Sequence, residues 1–415
     1  MVGSNINRKG FIYNTHENAE RAYYISAFIK KCTKPRESIS MENLEILIHR
    51  KLREESKWFP IPKRAVPYLV QTAIELGILE RDSYKEGYIN RWGARGYVVN
   101  TCSPDIPDGL PLDLKLLEKD RLAYLKYYLD SDGLVLLYLS KKIHEEGKIE
   151  LAEMVKGNQV EQMWQAIFKE SLSHVKDRRL RSEMQELLRS SRFLKERPRA
   201  KGKTLEHVRK QRVTPHLELL VDLGILDRIP PPRNWKEVSE GLRIKDLKNK
   251  NQPITDSDRE AAGLGSSEKV VYRSMVEGGI ERVDAFLKEF ADVPTLDRVL
   301  SPDEGTYFGS ASKLYSSNCL PVNLIEDYDL IQKEIIKAYE LCRDDTYRLA
   351  FIDSISDIVC INLEVSARKI CENRDVLGVI NKMHRIAEKD VRFHRNNYGV
   401  VTFLVLSKDY VRNMQ

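Results

Sequence analysis

VPYLVQTAIELGILER at residues 66–81 and VTPHLELLVDLGILDR at residues 213–228 are two versions of one pattern. In alignment, Val66 falls on Val213, Val70 on Leu217 and Ile74 on Val221. Leu76-Gly77-Ile78-Leu79 then falls on Leu223-Gly224-Ile225-Leu226, Arg81 on Arg228 and, upstream, Lys63 on Lys210. Apolar residues three and four apart predict a helix in each stretch. A glycine after the last leucine supplies the backbone freedom that a helix C-terminus uses. The Ile-Leu pair then begins a strand, so each stretch predicts a helix that turns at once into a strand.

Upstream of the first stretch, Ala22, Ile25, Phe28 and Ile29 share one face of an opening helix. Ser40 stands as an N-cap before MENLEILIHRKL, with Glu42 and Glu45 near the positive end of that helix. Phe59-Pro60-Ile61-Pro62 breaks the chain, and Pro67 fits the first turn of the third helix. Ile78–Arg81 and Tyr97–Asn100 read as strands flanking a hairpin loop that holds Asn90, Arg91, Trp92 and Arg95, with Gly93 and Gly96 allowing a tight tip. The second copy opens with a long apolar-striped helix from Asp120, with a break expected at Asp132-Gly133. A short helix over 148–155 and a third helix over Thr204–Leu223 follow, separated by a basic insertion at 156–203. After Ile229 the run PPPRNW cannot continue a ladder, so this copy is expected to lack a wing hairpin.

With these elements in place, residues 17–100 and 120–229 resemble the winged helix-turn-helix superfamily, at the level of the fold. The resemblance implies a mainly α chain with small β hairpins: tandem winged-helix domains plus a C-terminal helical domain. The expected divisions are 1–103, 112–235, a small polar region at 236–322, and 323–415. Within them, residues 270–290 and 323–396 read as helix, Thr306–Asn318 as a loop and YGVVTFLVLS as a closing strand. A helix, a tight turn and a strand at the end make a third, diverged winged helix the alternative reading of the last region.

The chain of 415 residues is 42% hydrophobic and 31% charged, which suits several globular domains. It has no apolar run of membrane-spanning length and no secretory-type N-terminus. Six cysteines form no CxxC pair and have no nearby histidine pair, so a zinc site or disulfide framework is not expected. Reduced thiols in a cytoplasm are the expectation. Charge is unevenly spread. From His174 to Arg212 there are 14 Lys or Arg against five Asp or Glu, a larger excess than the +6 of the whole chain. Such a concentration predicts a localised polyanion contact.

The resemblance implies double-stranded DNA as partner, with the N-terminal residues of each third helix against base edges. In the first copy these are Lys63, Arg64 and Tyr68. In the second they are Arg209, Lys210, Arg212, Thr214 and His216. Arg91, Trp92 and Arg95 would serve the first wing, and Arg197, Arg199, Lys201 and Lys203 a basic arm on phosphates. No cofactor or metal is expected. Sequence finds no GxxxxGK[ST] loop, HExxH helix or GxSxG elbow. Pro107 and Pro111 stand between the acidic letters Asp105 and Asp113, as in a linker. The expectation is therefore a non-enzymatic DNA-reading subunit of a prokaryotic restriction or defence complex, or a transcription regulator. A homodimer or protein contact would form through the C-terminal region. Two alternatives remain: a Mg²⁺-dependent nuclease with Asp353 or Asp357 and Glu364 as ligands, and a winged-helix scaffold that binds protein.

Overall fold

The structure, a computed structural model, describes residues 22–35, 37–51, 66–81, 88–103, 116–163, 165–166, 182, 205–231, 240–241, 243–244, 247–262, 269–275, 319–395 and 401–414. The chain is mainly helical with small sheets. Among the described residues one order of elements recurs: helix, strand, helix, helix, strand, strand, with one extra two-residue strand before the third helix of the last unit. In the first unit these are α1 (Ala22–Cys32), β1 (Ile39–Ser40), α2 (Met41–Ile48), α3 (Val66–Glu75), β2 (Leu79–Arg81) and β3 (Tyr88–Trp92), and α4 (Ala94–Cys102) follows. In the second they are α5 (Glu118–Glu146), β4 (Lys148–Glu150), α6 (Leu151–Val155), α7 (Leu205–Asp222), β5 (Leu226–Ile229) and β6 (Val271–Ser274). A short helix, α8 (Asp256–Ala261), lies in the β5–β6 connection, and β7 (Leu320–Pro321) comes next. The third unit has α9 (Tyr328–Cys342), β8 (Ala350–Phe351), α10 (Ile352–Ala367), α11 (Asn373–Ile386), β10 (Val391–Arg395) and β11 (Val401–Leu406). Its β9 (Lys369–Ile370) pairs in parallel with β7, and α12 (Lys408–Met414) closes the chain. Each unit's last strand is central in an antiparallel sheet: β1-β3-β2, β4-β6-β5 and β8-β11-β10.

The two Leu-Gly-Ile-Leu segments leave their helices by the same bonds. Gly77 N–H donates to Ile74 and Ile78 N–H to Ala73, at 3.0 and 2.9 Å; Gly224 and Ile225 repeat this on Val221 and Leu220, both at 2.9 Å. The glycines sit at φ +70° and +75°, where a side chain would be strained. This is the hydrogen-bond pair that closes a helix through a left-handed residue. Ser40 caps α2 as expected, accepting from Asn43 N–H at 3.2 Å.

The second strand of the first hairpin is not Tyr97–Asn100. It is Tyr88–Trp92, and residues 94–102 are helical. The glycines explain the shift. A Cβ on Gly93 would stand 2.3 Å from the carbonyl oxygen of Gly77, and one on Gly96 2.6 Å from that of Ile78. They let the start of α4 press against the helix-exit turn, rather than form a wing tip. Gly93→Ala is accordingly expected to cost about 1–3 kcal/mol by overpacking against backbone. A urea midpoint equal to that of the wild type would contradict this contact.

The second unit also departs from expectation. Residues 148–150 form a strand before the short helix, and α5 runs unbroken through Asp132-Gly133. The prolines after Ile229 do end β5, yet the sheet is completed by β6, inside a stretch expected to be helical and beyond the expected boundary at 235. Tyr272 of β6 holds it there: its buried hydroxyl donates to Glu218 of α7 at 2.8 Å, and Glu218 pairs with Arg228 of β5 at 3.0 Å. In the third unit, Val391–Arg395 is a strand rather than the end of a helix.

One core runs through all three units. Its centre is α10, where Ile355, Ile358, Val359, Cys360 and Ile361 are fully buried. Polar groups of α10 join it to its neighbours. Ser354 Oγ donates to the Ala94 carbonyl of α4 at 2.7 Å, and Lys119 Nζ of α5 to Asn362 Oδ1 at 2.6 Å. All six cysteines are free thiols.

Candidate nucleic-acid interface

The three third helices present different outer faces. In α3, Val66, Leu69, Val70, Thr72 and Ala73 are buried, and Pro67, Gln71, Ile74 and Glu75 are half-buried, so its described part shows no cation. In α7, every residue from Val213 to Leu220 is buried. Thr214 and His216 are therefore not available to base edges, each at 4% exposure. Helix α11 is different. Val376, Val379, Ile380 and Met383 face the core, while Arg374, Gly378, Asn381, Lys382 and Arg385 are exposed. The strand that follows exposes Arg392, His394 and Arg395.

The exposed face of α11 is held by its surroundings. Glu372 and Asp375 form a reciprocal capping box at its start. Arg374 pairs with Glu372 at 2.7 Å, and the Lys382 ammonium lies 3.9 Å from the centre of the Tyr328 ring. His384 Nδ1 donates to the Val391 carbonyl at 2.6 Å, with its ring against Phe393, which ties the helix to β10. Asp390 is engaged by the Ser407 hydroxyl at 2.6 Å. Arg385, Lys389 and Arg392 are exposed with no recorded ion pair among the described residues. Two apolar residues of α11, Leu377 and Ile386, are exposed as well, at 37% and 70%.

Other expected contacts have structural roles. Trp92 is buried, its Nε1 donating to Thr33 Oγ1 at 2.7 Å and its ring edge-on to Tyr97. Arg95 donates through Nη1 to the Leu76 carbonyl at 3.0 Å and lies over the Tyr127 ring, clamping the helix-exit turn to α5. Arg209 is buried against Glu161, with Nε 2.8 and 3.0 Å from the two carboxylate oxygens. Lys210 is exposed on α7. Tyr68, Arg91 and Arg212 lie on α3, β3 and α7, and their side chains are outside the description. Lys63, Arg64, Arg197, Arg199, Lys201 and Lys203 lie outside the described residues. The described contacts expected in the first two units are thus not brought together into one surface.

The acidic pair considered for metal chemistry is likewise engaged. Asp357 is buried in an ion pair with Lys126 and accepts from Tyr127 OH at 3.2 Å, and Glu364 is 2% exposed. Among the described residues, no group of three His, Cys, Asp or Glu is arranged to hold a metal ion. None of the described helices is long and apolar enough to cross a membrane. An open cleft of about 810 Å³ beside β4 is lined in part by Lys142, Glu146 and Glu150. Of these, Lys142 pairs with Glu146 and Glu150 with Lys269, both at 3.1 Å. The chain matches no protein-family model, no curated protein and no solved structure.

Proposed function

We propose that each unit is a winged helix and that the chain binds duplex DNA without transforming it, with α11 as its reading helix. The observation that carries this reading is the amphipathicity of α11: one face is core, and the other exposes Arg374, Asn381, Lys382 and Arg385 to solvent. A helix entering a major groove needs such a free polar face, with cations flanking it for phosphates. The excess of basic residues between His174 and Arg212 supports the same partner. Such a protein would suit the DNA-reading subunit of a restriction or defence complex, or a transcription regulator. The pairing of Asp357 with Lys126 disfavours the nuclease alternative at that residue.

Fluorescence anisotropy with a labelled duplex tests the reading. Affinity is expected to fall by at least about tenfold between roughly 50 and 200 mM salt, through counterion release. Arg385→Gln with Arg392→Gln should weaken binding and flatten that salt dependence. Joint neutralisation of Arg197, Arg199, Lys201 and Lys203 should weaken binding to all sequences alike. Binding indifferent to salt, or none at low salt, would favour a protein-binding scaffold instead.

A further inference from the structure

Helix α11 carries two residues that its own packing does not ask for. Glycine and asparagine are weak helix formers, yet Gly378 and Asn381 stand in the interior of Asn373–Ile386. Gly93 and Gly96 are held where backbone leaves no room for a Cβ, but Gly378 is not. A Cβ there would meet nothing within 4 Å, and Gly378 is not one of the glycines with positive φ. Asn381 is exposed and has no recorded hydrogen bond among the described residues. Both residues therefore weaken the helix without a compensating contact among the described residues. They are surface neighbours, three positions apart, and Leu377 lies one turn before Asn381. The exposed positions of α11 include three cations, Arg374, Lys382 and Arg385, and no acid, so the face complements a polyanion.

Residues that a helix tolerates at a loss, on an exposed face, fit a contact made outside the chain. Glycine lets a partner come against the helix backbone. Asparagine matches the major-groove edge of adenine: its carbonyl accepts from N6 and its amide donates to N7. An apolar side chain beside it suits the methyl group of thymine. We propose that Asn381 reads an adenine in the duplex, with Leu377 against a thymine methyl and Gly378 at the point of closest approach. The preferred DNA then carries an A·T pair at its centre, and the cations on either side meet phosphates. This names the base pair that the site takes, and it rests on the duplex-binding reading of α11.

Selection by the full chain from duplexes with a randomised centre identifies the preferred site. An A·T pair should be fixed at one position, and Asn381→Ala should lose that preference while still binding duplex. On the selected site, 7-deazaadenine in place of the adenine removes the N7 acceptor. It should weaken wild-type binding about fivefold and leave Asn381→Ala unchanged, as expected for one lost hydrogen bond. Gly378→Leu should raise the thermal midpoint, because leucine is the better helix former and open space surrounds the position. It should nonetheless weaken duplex binding about tenfold, through a clash with the approaching groove. A structural role for Gly378 would not give a higher midpoint together with lost affinity. Duplex binding that Arg385→Gln with Arg392→Gln weakens, but with no A·T preference, would overturn this inference and leave the duplex reading standing. A 7-deazaadenine effect that persists in Asn381→Ala would do the same, as would wild-type affinity in Gly378→Leu. No duplex binding at low salt would overturn both.

Discussion

Lys126→Met will destabilise the protein by about 3–5 kcal/mol, because it leaves the Asp357 carboxylate buried without its cation. The pair joins α5 of the second unit to α10 of the third, with both side chains largely removed from water, at 12% and 6% exposure. Tyr127 OH, at 3.2 Å, is a neutral donor and cannot offset an ionised carboxylate there. Chemical denaturation should record the loss as a lower midpoint. Adding Asp357→Asn should recover most of it, since the amide carries no charge and still accepts from Tyr127. A cost below about 1 kcal/mol for Lys126→Met would place the pair in the range of solvent-screened surface bridges. The same carboxylate was the best nuclease candidate in the sequence, so the measurement also tests its structural assignment.

Asp120→Asn is expected to stabilise the protein at neutral pH by about 3 kcal/mol, with little effect near pH 4. Asp120 is 2% exposed, at the start of α5. It accepts from Ser103 Oγ; Ser103 also bonds Ser26 at 2.8 Å, and Ser26 bonds Tyr124 OH at 2.8 Å. Burial pushes its carboxyl up to about 6, against the bond from Ser103, that from the Leu117 N–H and the field of Lys30. The folded protein therefore holds the proton more tightly than the unfolded chain does. The stabilisation this provides is complete below about pH 4 and is lost as pH rises through about 6. Asparagine keeps the shape and the hydrogen bonds without the charge. The difference in unfolding free energy between variant and wild type should grow from pH 4 to pH 7; a difference independent of pH would mean that Asp120 is not the titrating group.

Local patterns were legible where one short segment carries its own physics. Both Leu-Gly-Ile-Leu exits, the Ser40 cap and the inward face of α1 follow from side-chain spacing and glycine's freedom alone. The first hairpin ends at Trp92, short of its expected place, because Gly93 and Gly96 do not serve turn flexibility. Their requirement is close approach to the backbone of Gly77 and Ile78, residues more than ten positions away. The second unit's third strand could not be found from its neighbours, since Val271–Ser274 returns only after residues 230–270 and is held by Tyr272 on Glu218. Trp92, Arg95 and Arg209 have the composition of DNA contacts, but each meets a partner that only folding supplies.

What the sequence by itself determined is the doubled helix-to-strand turn, the mainly helical class and the concentration of basic charge before the second turn. These depend on residues adjacent in the chain or one helical turn apart. Tertiary structure decided that the same element order occurs a third time and that α7 is enclosed. It also decided that α11 keeps an exposed face that carries Arg374, Asn381, Lys382 and Arg385. The physical reason is that burial belongs to a packed neighbourhood rather than to a segment. Two helices with the same exit turn can be left open or walled in by elements far away in the chain, and that alone separates a surface for a partner from part of a core.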